Sequence, residues 1–237
     1  MKSRLTFILV VCAFAGAPAV ADVLGCVDLK ETGTDPALVM TITSSGYNGG
    51  AYVGIYKINI AAPGYGMLVG DLDSFCIDLW DKSTPDYHEY QVLPLDEAPD
   101  PGAGPMGSTR ASYLAELLNK EWVAGLTSTE RAALQAAVWE VVDEGRGGDV
   151  PAPSAFDVTD GTFRVSGDTA VIEMANDMLD SITDGASFAS YLALSDDTLS
   201  GVLGQWQDYV VRVPLPAAVL LGMLGLGAAG LKLRKFV

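Results

Sequence analysis

Two polar side chains sit inside apolar segments of this chain, and together they are able to do chemistry. Cys76 lies in Phe75-Cys76-Ile77-Asp78, on a stretch that reads as a strand. Gln135 lies in Leu134-Gln135-Ala136-Ala137-Val138-Trp139-Glu140, inside a segment of helical period. At helical spacing Gln135 shares a side with Arg131, Val138, Trp139 and Val142, which sets its carboxamide in a wide apolar arc. A thiol and a carboxamide held together can condense: sulfur attacks the amide carbon, the C–N bond breaks, and ammonia leaves behind a thioester. A carboxamide is a poor electrophile, so the step depends on locked orientation, which contributes roughly 7–11 kcal/mol. Cys is the most nucleophilic side chain at neutral pH, and a neighbouring base or positive dipole raises its thiolate fraction. Phe75, Trp80 and Trp139 are apolar neighbours that would keep water from hydrolysing the bond. An amine that reached it would displace the thiolate and leave an amide on residue 135. Such a protein reacts once; it is not a turnover enzyme.

The residues alone leave other uses open. Cys26 and Cys76 are the two cysteines that remain after removal of the leader described below, and paired cysteines are common in exported domains. A disulfide between them would typically stabilise by about 2–4 kcal/mol. Equally, Cys76 can be an inert buried thiol and Gln135 an ordinary helix residue. Asp71, Asp73, Asp78 and Asp81 offer oxygen ligands of the type calcium takes, without EF-hand spacing. No spacing among them singles out the carboxylate pair of a glycosidase. Cys76 and His88 have the composition of a hydrolase dyad, with no catalytic signature around either. Trp206, Tyr52, Tyr56 and Tyr65 have faces that can stack on sugars, and a core uses such rings as readily. One histidine excludes a multi-histidine metal site, and no cofactor is expected.

The segments around Cys76 and Gln135 resemble the thioester domains of bacterial surface proteins. In that family a Cys after an aromatic residue, on a strand, is joined to the Gln of a helical Gln-x-Ala-[Ile/Val]-Trp segment. Cys76, Gln135, Ala137, Val138 and Trp139 match that pattern, while Leu134 stands where the family usually has Thr. The likeness covers residues 50–145. It implies a thioester between Cys76 and Gln135 and a covalent adhesin or cross-linker whose ligand is an amine-bearing surface or matrix component.

The elements that must position these residues read as strands, then helices, then a closing strand. Leu38–Thr43 and Ala51–Ile60 alternate, with Gly46, Asn48, Gly49 and Gly50 marking a hairpin turn between them. Ser74–Trp80 is expected as a third strand and Tyr87–Leu95 as a fourth; Pro94, Pro101 and Pro105 with Gly102, Gly104 and Gly107 then form a linker. Thr109–Trp122 predicts a helix with Tyr113, Leu114, Leu117 and Leu118 on one side. Thr127 and Glu130 have capping-box spacing, opening a helix to about Glu144 with Gly145 as its stop and Leu134, Ala137, Val138 and Val141 on its apolar face. Val171, Ile172, Ala175, Met178, Leu179 and Ile182 form the stripe of a third helix. Ser187–Leu194 reads as a short helical piece and Asp208–Val213 as a final strand that pairs with earlier ones. Helices segregated from strands predict an α+β body, a β-sandwich or open barrel with an inserted helical layer, long enough to bury roughly 70% of its unfolded surface.

Both ends of the 237-residue chain differ from its middle. Lys2 and Arg4 precede the apolar run Leu5–Phe14, and Ala19-Val20-Ala21 offers the small residues that signal peptidase accepts. Residues 1–21 therefore read as a signal peptide, with Ala21 and Asp22 flanking the cut and an exported body at 22–212. Val213–Leu231 carries no charge, approaches the length of a transmembrane helix, and is followed by Lys232-Leu233-Arg234-Lys235, which should stay in the cytoplasm. The order of Val213-Pro214-Leu215-Pro216-Ala217, a Gly- and Leu-rich span and a basic end resembles the C-terminal sorting signals of the PEP-CTERM type, in the VPLPA-CTERM variant of Gram-negative bacteria. That resemblance covers residues 213–237 and implies an exosortase-type sorting protease that cuts near the motif; a plain single-span anchor is the alternative. Residues 22–211 hold all 30 acidic residues and 8 of the 14 basic ones, a net −22. Such a surface repels nucleic acid and attracts cations or basic partners. The alternative to a reactive adhesin is a non-reactive component of the envelope or exopolysaccharide matrix, carrying a Cys26–Cys76 disulfide or free thiols.

Overall fold

Long alternating strands open the fold. A computed structural model describes residues 23–66, 68–100, 104–196 and 206–213. Strands β1 (Gly25–Ser44) and β2 (Tyr47–Tyr65) form a hairpin whose turn is Ser45-Gly46 alone, so Gly49 and Gly50 belong to β2. Gly46 has φ +97°, and a Cβ there would stand 2.8 Å from the Trp80 ring, so both backbone and contact require glycine. The strands β3 (Leu68–Cys76), β4 (His88–Pro94), the two-residue pair β5 (Pro99–Asp100) and β6 (Gly104–Pro105), β7 (Arg164–Ser166), β8 (Tyr191–Ser195) and β9 (Tyr209–Arg212) complete the set.

The main sheet closes on itself. Its pairings run β2-β3-β9-β8-β4-β1, and β1 also pairs β2, so six antiparallel strands form a ring, a closed barrel rather than an open one. β1 is long enough to serve three partners: Gly25–Leu29 pairs β4, Leu29–Ser44 pairs β2, and Thr41–Thr43 pairs β7. Register shifts at Glu31/Gly33 and Asp35/Leu38 bend this ribbon. β9 closes the ring against β3 and β8, as expected of the last strand.

Three helices cover one side: α1 (Ser108–Glu121), α2 (Ser128–Asp143) and α3 (Thr169–Leu179). α2 starts at the expected capping box, Thr127 Oγ1 accepting from Glu130 N–H while Glu130 accepts from Thr127 N–H. It is buried on every side from Ala132 to Asp143, not along one stripe, because it lies between the sheet and the other two helices. Four alanines in that run allow the close approach.

Two expected elements differ. The third strand ends at Cys76 rather than Trp80, because the Asp78 carboxylate accepts from Trp80 N–H and turns the chain out of the ladder. Ser187–Leu194 is not helical: Tyr191–Ser195 is a buried strand between β4 and β9, where ladder bonds on both edges outweigh local preference. The signal segment with its Ala21–Asp22 junction, and the residues from Pro214 onward that would form the span, lie outside the described residues. Among those described, no helix is long and apolar enough to cross a membrane.

Candidate functional site

Residues directly opposite in an antiparallel pair share a face. Ser74 stands opposite Tyr56 and Cys76 opposite Tyr209, so these four residues share one face of the sheet and Phe75 takes the other. That shared face is the barrel interior. The Tyr209 hydroxyl donates to Glu31 Oε2 at 3.2 Å, joining β9 to β1 across the ring. The Tyr209 ring lies 5.9 Å from Tyr56 and 6.2 Å from Tyr90. Cys76 therefore points into an aromatic interior and has no exposed surface.

The β2–β3 ladder ends at Tyr56–Ser74, and its continued register would set Gly54 opposite Cys76. Gly54 is instead packed against the Asp35 and Pro36 carbonyls, where an added Cβ would come within 2.5 Å. Gln135 fills the vacated place. Its Oε1 accepts from Cys76 N–H at 2.9 Å, and its Nε2 donates to the Cys76 carbonyl at 2.9 Å. A side-chain carboxamide thus stands in for a peptide of the neighbouring strand. Both residues are wholly buried, and α2 carries the amide to the point where β2 leaves β3.

The thiol has its own partner: Cys76 Sγ donates to the Asp78 carbonyl at 2.7 Å. Burial, and next the Asp78 carboxylate, push the Cys76 thiol well above its usual range. The Trp139 indole N–H finds no acceptor at ordinary hydrogen-bond length. It stands beside the Cys76 sulfur and is one of the groups that favour its thiolate. Burial thus holds the sulfur in a neutral form, and a thioester is neutral as well. Trp139, Ile77, Asp78 and Trp80 line a cavity of about 10 Å³, close to the size of one water. Arg146 lies over the Trp80 ring, 5.0 Å from its centroid, and Tyr47 meets that ring edge-on at 6.2 Å.

Of the expected surroundings, Trp139 and Trp80 flank Cys76 on the site's own side. Phe75 does not share that face: it packs edge-on against Trp122 at 4.9 Å, under α1. It seals β3 from behind. Tyr56, Tyr209, Asp78 and Glu31 belong to the site and were not assigned to it from the sequence. The sole signal was the alternation that puts Tyr56 on the face of Ile58 and Ile60.

The other candidates disperse. Cys26 and Cys76 are both free thiols, one exposed on the barrel's outer face and one inside it, so the disulfide alternative is corrected. Asp73 pairs with Lys57 at 2.6 Å, Asp71 accepts from Asn59 at 2.6 Å, and Asp78 is buried. Among the described residues no three His, Cys, Asp or Glu side chains are placed to hold a metal, which removes the calcium alternative. His88 stacks on Trp206 at 4.5 Å rather than meeting Cys76. Of the sorting motif only Val213 is described, its N–H bonded to Ser190 O at 2.9 Å. Comparison of the chain with family models, with curated proteins and with solved structures found no match.

Proposed function

We propose that this protein is an exported bacterial surface protein that couples covalently to an amine-bearing partner through a thioester between Cys76 and Gln135. The observation that carries the reading is the pair of hydrogen bonds holding the Gln135 carboxamide on Cys76 in a water-free setting. To form the bond, the thiol proton leaves the Asp78 carbonyl, sulfur attacks the Gln135 side-chain carbon, and the amide nitrogen departs as ammonia carrying that proton. Orientation is supplied by the fold before reaction, which is where most of the acceleration of such a step arises. Export rests on the leader at residues 1–21, and anchoring, before cleavage by a sorting protease, on residues 213–237.

The exported protein should weigh one ammonia less than its processed sequence, and methylamine should add to it while releasing a free thiol. Cys76→Ala and Gln135→Ala should each abolish both signals, whereas Cys26→Ala should leave them intact. An unmodified mass, with Gln135 still an amide in the fragment that contains it, sinks the reading; conversion of Gln135 to Glu records a thioester that hydrolysed.

A second reading has its own observation. The Cys76 thiol is engaged by the Asp78 carbonyl, and the Gln135 amide is fully used in pairing with the Cys76 backbone. On that reading Gln135 is a structural clamp, and the protein is a non-reactive envelope or matrix component with free thiols. The unmodified mass is its signature.

A further inference from the structure

The barrel interior opens beside Tyr56 into a cleft of about 380 Å³, whose walls include Glu31, Tyr47, Tyr52, Tyr56, Trp80 and Gln207. Its polar groups are mainly acceptors. Gln207 bonds the Tyr56 hydroxyl, while its Oε1 is buried with no hydrogen-bond partner. Glu31 adds a carboxylate, and Asp81 and Lys82 complete the charged lining, leaving one negative charge in excess. A wall of acceptors and aromatic faces suits a ligand that brings donors and positive charge. A primary ammonium brings three N–H groups and one charge.

The cleft and the water-sized cavity beside Trp139 share Leu79 and Trp80, so these two residues separate solvent from the Cys76–Gln135 pair. A passage of that calibre admits a slender alkyl chain and stops a sugar ring. The acidic body draws cations toward it from a distance.

We propose that this barrel-mouth cleft docks a primary alkylammonium of the lysine side-chain type and presents it to the side-chain carbonyl of residue 135. The delivery step rests on the thioester reading; the docking does not. In delivery the ammonium releases one proton to solvent, and its nitrogen attacks that carbonyl carbon. The C–S bond breaks, and a second proton passes from the nitrogen to the Cys76 sulfur, leaving an amide and a thiol.

The test uses the full-length Cys76→Ala variant, which can form no thioester, titrated with Nα-acetyl-lysine methylamide by calorimetry. Saturable binding that weakens with added salt is expected. Gln207→Leu and Tyr52→Ala should each weaken it roughly five- to tenfold, by removing an acceptor or a ring face. Both variants should fold, since one removes an unpartnered buried oxygen and the other an exposed ring. Absence of binding overturns the proposal, as does equal binding of the Nε-acetylated probe or of glucosamine. The wild-type mass is measured in parallel. Binding without an ammonia deficit upholds the cleft and removes the thioester, whereas a deficit without binding does the reverse.

Discussion

Gln135 does two separable jobs at the residue scale, and its substitution tells them apart. In Gln135→Ala the Cys76 N–H and carbonyl lose their partners inside a dry core, at a cost of about 1–3 kcal/mol for each group left unpaired. Cys76→Ala keeps both of those bonds. Neither variant forms a thioester, so denaturant unfolding should find Gln135→Ala clearly less stable than Cys76→Ala. Equal stability would mean that the amide contributes nothing as a clamp. Glu140 carries a different signal. It is wholly buried, one carboxylate oxygen accepts from Asp157 N–H, and the other has no hydrogen-bond partner. Burial, with Glu144, Asp157 and Asp143 nearby, raises it from 4.5 to about 8. The folded protein therefore holds a proton that the unfolded chain releases near 4.5, and this contribution is complete below that pH and lost as pH rises through 8. Melting temperature should fall across that window for this reason, and Glu140→Gln, which stays neutral, should flatten the fall.

Helix α2 is the element on which the site depends, since it alone carries Gln135 and Trp139 to Cys76. Its two ends are tied by different means. The capping box at Thr127 and Glu130 satisfies donors at its start, and Arg110 of α1 donates to the Val141 carbonyl at 2.6 Å and the Glu144 carbonyl at 2.9 Å at its finish. Thr127→Ala should lower stability by about 1 kcal/mol in denaturant titration. The α1–α3 side is held by Glu116, which accepts from Lys120, from the Thr183 N–H and hydroxyl, and from Gly185 N–H. Burial opposes its ionisation, yet these donors outweigh burial and bring its pKa down to about 2. Its contribution is thus present above 4.5 and lost as pH falls toward 2. Glu116→Gln should make acid unfolding shallower in that range, the opposite limb from Glu140.

For the whole molecule, the proposed route of export carries its own outcome: mature protein should begin at Asp22, and N-terminal sequencing that finds Met1 on surface material would refute it. With an active sorting protease, envelope or released protein should lack Lys232–Lys235. The order of strands and helices, the capping box and the two reactive-looking segments were legible in the chain itself, because each is a matter of local period and local chemistry. Alternation along β3 even separates Cys76 from Phe75. It does not say which face is the interior, and so the sequence placed Phe75 beside the bond that it only backs. That choice belongs to the register with β2 and β9, and to the closure that brings β1 within reach of Tyr209. The polar residues of α2 mislead in the same way. Gln135, Glu140 and Asp143 read as breaks in an apolar face, yet all are buried, each satisfied by a partner far along the chain: Cys76, Asp157 and Ser44. Local sequence determines what a segment can become and which groups need partners. Only tertiary pairing decides which partners they meet, because the ladder between residues 56 and 74 must end before a side chain 59 positions beyond Cys76 can take its place.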